Sequence, residues 1–306
     1  MHRGFKRCFS SLLATVLVAV PVSGVADPAA RKPAPAKPQA TEQADPSGAS
    51  PGVQSRTVVV FDEDSGQLLY SRNDAGAKPI ASITKLMTAM VVLDARLPMD
   101  ETLTISRDDV DTLKGSSSRI PVGAKMTREE ALRLALMSSE NRAASALARH
   151  YPGGNDAFVR AMNAKARMIG MEHSHFADST GLHASNRASA MDLVRLVQAS
   201  HSYPEIRAFS TEGARTARLG AQALEFRNTN PLVRNPDWDI GISKTGYIRE
   251  AGRCLVMQTR VAARSVVIVL LDAGGSQTRV GDAARIKRWL EAQPRQGQNI
   301  LAASSS

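Results

Sequence analysis

The sequence predicts an α/β fold of the α+β kind, in which strands from both ends of the domain form one antiparallel sheet packed with helices and interrupted by an inserted helical region. Three observations predict it. Apolar, β-branched runs lie near residue 60 and again after residue 240; apolar residues at helical spacing fill the middle; and a helix-like segment follows the last strand. Strands at the two ends bury their apolar faces together when they share a sheet and the intervening helices cover it.

The elements follow in order. Residues 57–61 are an apolar β-branched run, 62–66 a polar turn ending in Gly66, and 67–70 a second apolar run, which together read as a β-hairpin. A helix is expected over 82–93, where Leu86, Met87, Ala89, Met90, Val91, Val92 and Leu93 leave almost no polar face. A helix apolar all round belongs in the interior. A second helix is expected over 127–150, opened by Thr127 and Glu130 in capping-box spacing. Others are expected over 155–169, ended by Gly170, and from about Ser189 onward. The C-terminal third then changes period. Residues 241–247, 253–261 and 265–271 read as strands, and 278–290 as a closing helix whose Ile286, Trp289 and Leu290 should pack on the sheet.

The chain has 306 residues and a formal charge of +10, which raises nucleic acid as a partner. Part of that charge lies in a leader. Arg3, Lys6 and Arg7 precede an apolar run over 12–20, and Gly24, Val25 and Ala26 supply a small-residue cleavage site. This is the pattern of a secretory signal peptide over 1–26, with an apolar run far short of the roughly 20 residues of a membrane span. No transmembrane span is therefore expected after cleavage, and the mature chain should be exported. Cleavage takes the charge to +7 and removes Cys8, leaving Cys254 alone and unable to form an internal disulfide. Cys254 sits in an apolar run and reads as a buried strand residue.

Residues 27–51 hold six of the fifteen prolines and read as an extended, disordered linker. The folded domain is expected over 52–294, followed by a disordered tail over 295–306. Arg215 to Arg218 read as a solvated face. His173 and His175 have a spacing weakly compatible with a metal, but nothing nearby completes a ligand set, and no metal is expected.

Three short motifs carry chemistry. Ser82-Ile-Thr-Lys85 places a hydroxyl and an amine one helical turn apart at the start of the buried helix. There the free amides favour developing negative charge, and a desolvated lysine can act as a base at neutral pH. Alone it is weak evidence, since chance supplies roughly one Ser-x-x-Lys in such a chain. Ser139-Glu-Asn141 is also weak alone, and a second Ser-x-Asn occurs at Ser71 to Asn73, on a strand end. Lys244-Thr-Gly246 is rarer by composition and falls on a predicted strand, where a glycine allows close approach of a ligand backbone. Their order, and their placement on helix, helical region and strand, give the trio its weight.

With these residues in view, the chain resembles the penicillin-binding proteins and serine β-lactamases, and within them the low-molecular-mass serine DD-peptidases. The blocks Lys78-Pro-Ile-Ala-Ser-Ile-Thr-Lys-Leu-Met-Thr-Ala89, Met137-Ser-Ser-Glu-Asn-Arg-Ala143, His175-Phe-Ala-Asp-Ser-Thr-Gly-Leu182, Ala190-Met-Asp-Leu193 and Lys244-Thr-Gly-Tyr-Ile-Arg-Glu-Ala-Gly-Arg-Cys-Leu255 all carry it. Glu140, and Tyr151-Pro-Gly-Gly154 after His150, resemble the D-alanyl-D-alanine endopeptidase branch, of the penicillin-binding protein 7 type.

The resemblance implies a DD-peptidase/serine β-lactamase-like fold and a role for each residue. Ser82 would attack a D-alanyl carbonyl and form an acyl-enzyme, with Lys85 taking its proton. Ser139 would relay a proton to the leaving amine, Asn141 would orient the substrate amide, Lys244 would hold Ser139, and Thr245 would bind a substrate carboxylate. The backbone amides of Ser82 and Tyr247 would form the oxyanion hole, beside Gly246. No cofactor is called for. Expected partners are the cross-linked peptides of peptidoglycan, with β-lactam antibiotics as covalent inhibitors, and no nucleic acid.

A class A β-lactamase would carry a deacylating Glu-x-x-x-Asn between Asn141 and Lys244. None of Glu172, Glu205, Glu212 and Glu225 has an Asn four residues on, so slow release of β-lactams is expected. A non-catalytic penicillin sensor is disfavoured by three intact motifs. A D-alanyl-D-alanine carboxypeptidase on the same site is the alternative; such relatives commonly append a β-rich domain and an amphipathic helix, whereas 16 residues follow Leu290.

Overall fold

The sheet is six-stranded and antiparallel throughout, in the order β1-β3-β2-β12-β11-β10. The structure, a computed structural model, describes residues 42–43, 50–220 and 222–293. The expected signal peptide, most of the expected linker and the expected tail lie outside the described residues. The chain runs through β1 (Glu42–Gln43), β2 (Thr57–Asp62), β3 (Gln67–Arg72), β4 (Lys78–Pro79) and α1 (Thr84–Asp94). It continues with β5 (Thr102–Thr104), β6 (Lys125–Thr127), α2 (Arg128–Met137), α3 (Asn141–Arg149), α4 (Gly154–Met168), β7 (Arg187–Ala188), α5 (Ala190–His201) and α6 (Pro204–Thr211). It closes with β8 (Ala214–Leu219), β9 (Gln222–Arg227), β10 (Asp239–Ile248), β11 (Gly252–Val261), β12 (Arg264–Ala273) and α7 (Ser276–Ala292).

The sheet is buried on both faces, which is why its strands read as continuous apolar runs instead of alternating ones. Val58, Val60, Tyr70, Leu255, Met257, Ile268 and Leu270 face α7, where Ala283, Ile286, Trp289 and Leu290 cover them. Trp289 meets Tyr70 edge to face at 6.0 Å between ring centroids, so the closing helix packs as expected. The intervening residues, among them Val59, Cys254, Val256, Val267 and Val269, face the helical region. At its centre lies α1, with every residue from Thr84 to Val92 buried.

Four expectations are corrected. The helix expected over 127–150 is two helices, α2 and α3, because Ser139 adopts a left-handed conformation (φ 62°) and the N–H groups of Ser138 and Glu140 both bond the Leu134 carbonyl. The capping box is half made: Thr127 accepts from the Glu130 N–H, but the Glu130 carboxylate turns to the Arg215 guanidinium at 3.0 Å. The stretch Arg215 to Arg218, read as a solvated face, lies on β8, whose Ala217 and Leu219 are buried while Arg215 is ion-paired to Glu130 and Glu212. Within the expected linker, Glu42–Gln43 pair with Arg72 and Ser71 as an edge strand; the free backbone groups at the edge of β3 provide the template for that pairing.

Candidate active site

Ser82 lies in a 3₁₀ turn, Ala81–Ile83, directly before α1. The turn is held by its neighbours more than by local propensity. Ala81 has φ 49°, a conformation costly for a residue with a Cβ. Gly181 packs against it so closely that an added Cβ would lie 2.0 Å from the Ala81 carbonyl oxygen. The loop that brings Gly181 there is wound around Asp178. Its carboxylate accepts from the N–H groups of Thr180 (2.6 Å), Gly181 (2.6 Å) and His183 (2.7 Å), from Thr180 Oγ1 (2.8 Å) and from Asn186 Nδ2 (3.0 Å).

Lys85 lies one turn after Ser82, fully buried. Its Nζ donates to Ser82 Oγ at 2.9 Å, to Asn141 Oδ1 at 2.7 Å and to the Thr180 carbonyl at 2.7 Å. Burial pulls its pKa down to about 7, against the opposing pull of Asp178 and Glu140. A lysine in this state holds a large neutral fraction near pH 7. The contact to Ser82 can then carry a proton from hydroxyl to amine.

The second and third motifs close on this pair. The break between α2 and α3 aims Ser139 at β10, where Lys244 Nζ donates to Ser139 Oγ at 3.0 Å and to the Thr245 carbonyl at 2.9 Å. Lys244 is buried and its proton affinity is lowered, first by burial and then by Lys85 and Arg279. Thr245 Oγ1 donates to Thr229 Oγ1 at 2.6 Å. β10 is an edge strand of the sheet. It approaches the nucleophile turn so closely that a Cβ on Gly246 would lie 2.9 Å from the Ile80 carbonyl oxygen and 3.2 Å from the Ser82 nitrogen. From behind, the buried Arg279 of α7 donates to the carbonyls of Gly246 (3.2 Å) and Cys254 (2.9 Å). The side chain of Tyr247 is half exposed, with the Arg253 guanidinium 3.8 Å from its ring centroid. A pocket of about 350 Å³, lined by residues that include Ser138, Glu140 and Phe226, opens beside Ser139.

The structure thus gathers Ser82, Lys85, Ser139, Asn141, Lys244, Thr245 and Gly246 around one cleft, with Tyr247 next on β10. It leaves the other Ser-x-Asn apart: Ser71 pairs with Val59 and Gln43 inside the sheet. Cys254 is buried on β11, and burial pushes its thiol up to about 11, which makes it inert as a nucleophile. His175 pairs through its backbone with Arg187, and the His173 N–H is held by Asp192. Motif reading missed the roles of Ser116, Asp178, Thr180, Thr229 and Arg279. For Asp178 and Thr180 a signal was present, since Asp-Ser-Thr-Gly is a turn composition.

Comparison with known proteins bears on the family and the fold. Residues 41–275 match the model of the S11 peptidase family, described as D-alanyl-D-alanine carboxypeptidase. The chain is 49% identical over 239 residues to a D-alanyl-D-alanine endopeptidase of Pseudomonas aeruginosa, covering 78% of this chain and 77% of the relative. It is 45% identical over 243 residues to a D-alanyl-D-alanine endopeptidase of Escherichia coli, covering 79% and 78%. The fold matches the Streptomyces K15 DD-transpeptidase with a TM-score of 0.74 at 25% identity, over 80% of this chain and all of the other. It also matches a D-alanyl-D-alanine carboxypeptidase of Mycobacterium tuberculosis with a TM-score of 0.73 at 28% identity, over 83% and 98%. A family model that spans most of the chain, with relatives at 49% and 45% identity, shows that the chain belongs to the S11 family of serine D-alanyl-D-alanine peptidases.

Proposed function

We propose that the protein is a periplasmic serine DD-endopeptidase that hydrolyses D-alanyl–diaminopimelate cross-links of peptidoglycan through an acyl-enzyme on Ser82, and that β-lactams acylate the same serine. The observation that carries the reading is the buried Lys85 amine, held 2.9 Å from Ser82 Oγ with its pKa near 7. In the free-amine form Lys85 takes the Ser82 proton as Oγ bonds to the D-alanyl carbonyl carbon. The backbone N–H groups of Ser82 and Tyr247 receive the oxyanion. Ser139 passes a proton to the leaving amine as the peptide bond breaks, and Lys244 keeps its hydroxyl in place. Asn141 orients the substrate amide, Thr245 binds a carboxylate, and Gly246 lets the substrate backbone approach. Water then attacks the ester and frees Ser82.

Charge supports an acidic peptide as substrate. Lys85 and Arg279 lie close enough to lower the proton affinity of Lys244. A carboxylate arriving at Thr245 supplies a counter-charge to them. Periplasmic residence rests on the signal-peptide pattern of 1–26; among the described residues no helix is long and apolar enough to cross a membrane. The endopeptidase reading rests on the names of the relatives at 49%, 45% and 34% identity, whereas relatives named carboxypeptidases stand at 27 to 30%.

Purified cross-linked muropeptide dimers and monomeric pentapeptides, incubated separately with the mature protein and resolved by mass, test the assignment. Dimers should fall to monomers. If they persist while pentapeptides lose a terminal alanine, the protein is a carboxypeptidase.

A further inference from the structure

Glu140 is a buried carboxylate at the centre of the site that none of the steps above uses, 8% exposed between Ser139 and Asn141. Its side chain bonds away from its own helix. Oε2 accepts from Ser118 Oγ at 2.5 Å and Oε1 from the Arg119 N–H at 3.4 Å. Both partners belong to the segment 111–120, which runs as a strap along the cleft. Asp111 folds the near half by accepting the N–H groups of Leu113, Lys114 and Ser116. Arg119 donates to the Glu225 carbonyl and lies 5.2 Å from the Phe226 ring centroid. Lys114 is ion-paired with Glu250, in the turn after β10.

The strap touches the catalytic network at one further point. Asn141 Nδ2 donates to Ser116 Oγ at 2.8 Å, while Asn141 Oδ1 accepts from Lys85 Nζ. An amide has two ends that differ only in hydrogen bonding, so its partners decide which end faces the lysine. A hydroxyl fixed at Ser116 takes the NH₂ and leaves the oxygen for Lys85. Without it the amide can turn and present a donor to an amine that must be free to accept a proton. Consecutive residues thus touch the strap: Glu140 holds it at Ser118 and Arg119, and Asn141 meets it at Ser116, which Asp111 also holds through its N–H and its side chain.

Resting on the reading of Ser82 as the acylated nucleophile, we propose that Glu140 is a positioning residue, whose carboxylate locks the 116–120 strap so that Ser116 sets the Asn141 amide with its oxygen on Lys85. The rival is a plain structural staple, which would matter for folding and not for the orientation of Asn141.

The test is a double-mutant cycle on the second-order rate of acylation by a fluorescent penicillin, with melting temperatures measured alongside. Glu140→Ala and Ser116→Ala should each slow acylation at least tenfold, and the double variant should be within about threefold of the slower single, because both break one linkage. Glu140→Gln should restore most of the rate, since its oxygen can accept from Arg119 while its NH₂ donates to Ser118. Should Glu140→Ala not fold, Ser118→Ala takes its place in the cycle. Losses that multiply in the double variant, or folded single variants within threefold of wild type, overturn the proposal. Wild type that is not acylated on Ser82 overturns the reading beneath it instead.

Discussion

At the scale of single residues, the chemistry depends on contacts too close to admit a methyl group. Gly181 and Gly246 press on the turn that carries Ser82 from two sides, and what a Cβ would meet there is backbone and, at Gly246, also the Ala81 Cβ. At Gly246 the nearest atom would be 2.9 Å away, so a shift of a few tenths of an ångström suffices. At Gly181 it would be 2.0 Å away, with φ at +83° adding strain. Gly246→Ala should therefore slow penicillin acylation by roughly 10- to 100-fold, as misplacement by up to an ångström does, with a small change in melting temperature. Gly181→Ala should lose more of both. Acylation kinetics and a thermal melt on the two variants check the order, and a Gly181→Ala protein that acylates at the wild-type rate contradicts it. These contacts mark the limit of what motifs convey. Ser82 and Lys85 were legible because one helical turn joins them. Asp178 and Thr180 reach the lysine across 95 or so residues of chain, a proximity that spacing alone does not encode.

Among the elements, β-branched runs and a change of period gave the hairpin, the three C-terminal strands and α7 their places. Burial of the sheet on both faces made those runs conspicuous. The α2–α3 break was not legible, because Ser138-Ser139 carries neither proline nor glycine and the left-handed Ser139 is imposed by tertiary contacts. Nor was the β8–β9 hairpin, whose strands are largely polar or exposed and bury only Ala217, Leu219 and Phe226. A related dependence joins α7 to the chain entering β2. Asp282, fully buried, accepts from the N–H groups of Gln54 (2.9 Å) and Ser55 (2.7 Å) and from Ser55 Oγ (2.6 Å), and it pairs with Arg285. Asp282→Ala strips several buried donors of their acceptor and should cost about 3 kcal/mol of stability. Urea unfolding reads this as a lower midpoint at constant slope. An unchanged midpoint would mean that the Asp282 contacts add nothing to the docking of α7.

For the molecule as a whole, the design is a rigid sheet with one edge strand left open to a helical lobe. Three motifs far apart in sequence meet where that edge strand, α1 and the α2–α3 break converge. The site gathers basic groups, Lys85, Lys244 and Arg279, in a chain with a formal charge of +10 that falls to +7 with the expected leader removed. On the proposed reading, that excess meets an acidic peptide of the cell wall. In the proposed mechanism, burying Lys85 beside Ser82 is the central device, since an ammonium in water could not act as a base near neutrality. The neutral fraction of Lys85 rises with pH and reaches half at about 7. The most direct measurement is the second-order rate of penicillin acylation from pH 5 to 10, with the adduct located by peptide mass mapping. The predicted result is one adduct, on Ser82, absent from Ser82→Ala, with a rate that climbs about tenfold per pH unit below 7 and levels above it. A rate still climbing through pH 9, as an unperturbed lysine would give, or an adduct on another residue, would contradict the account.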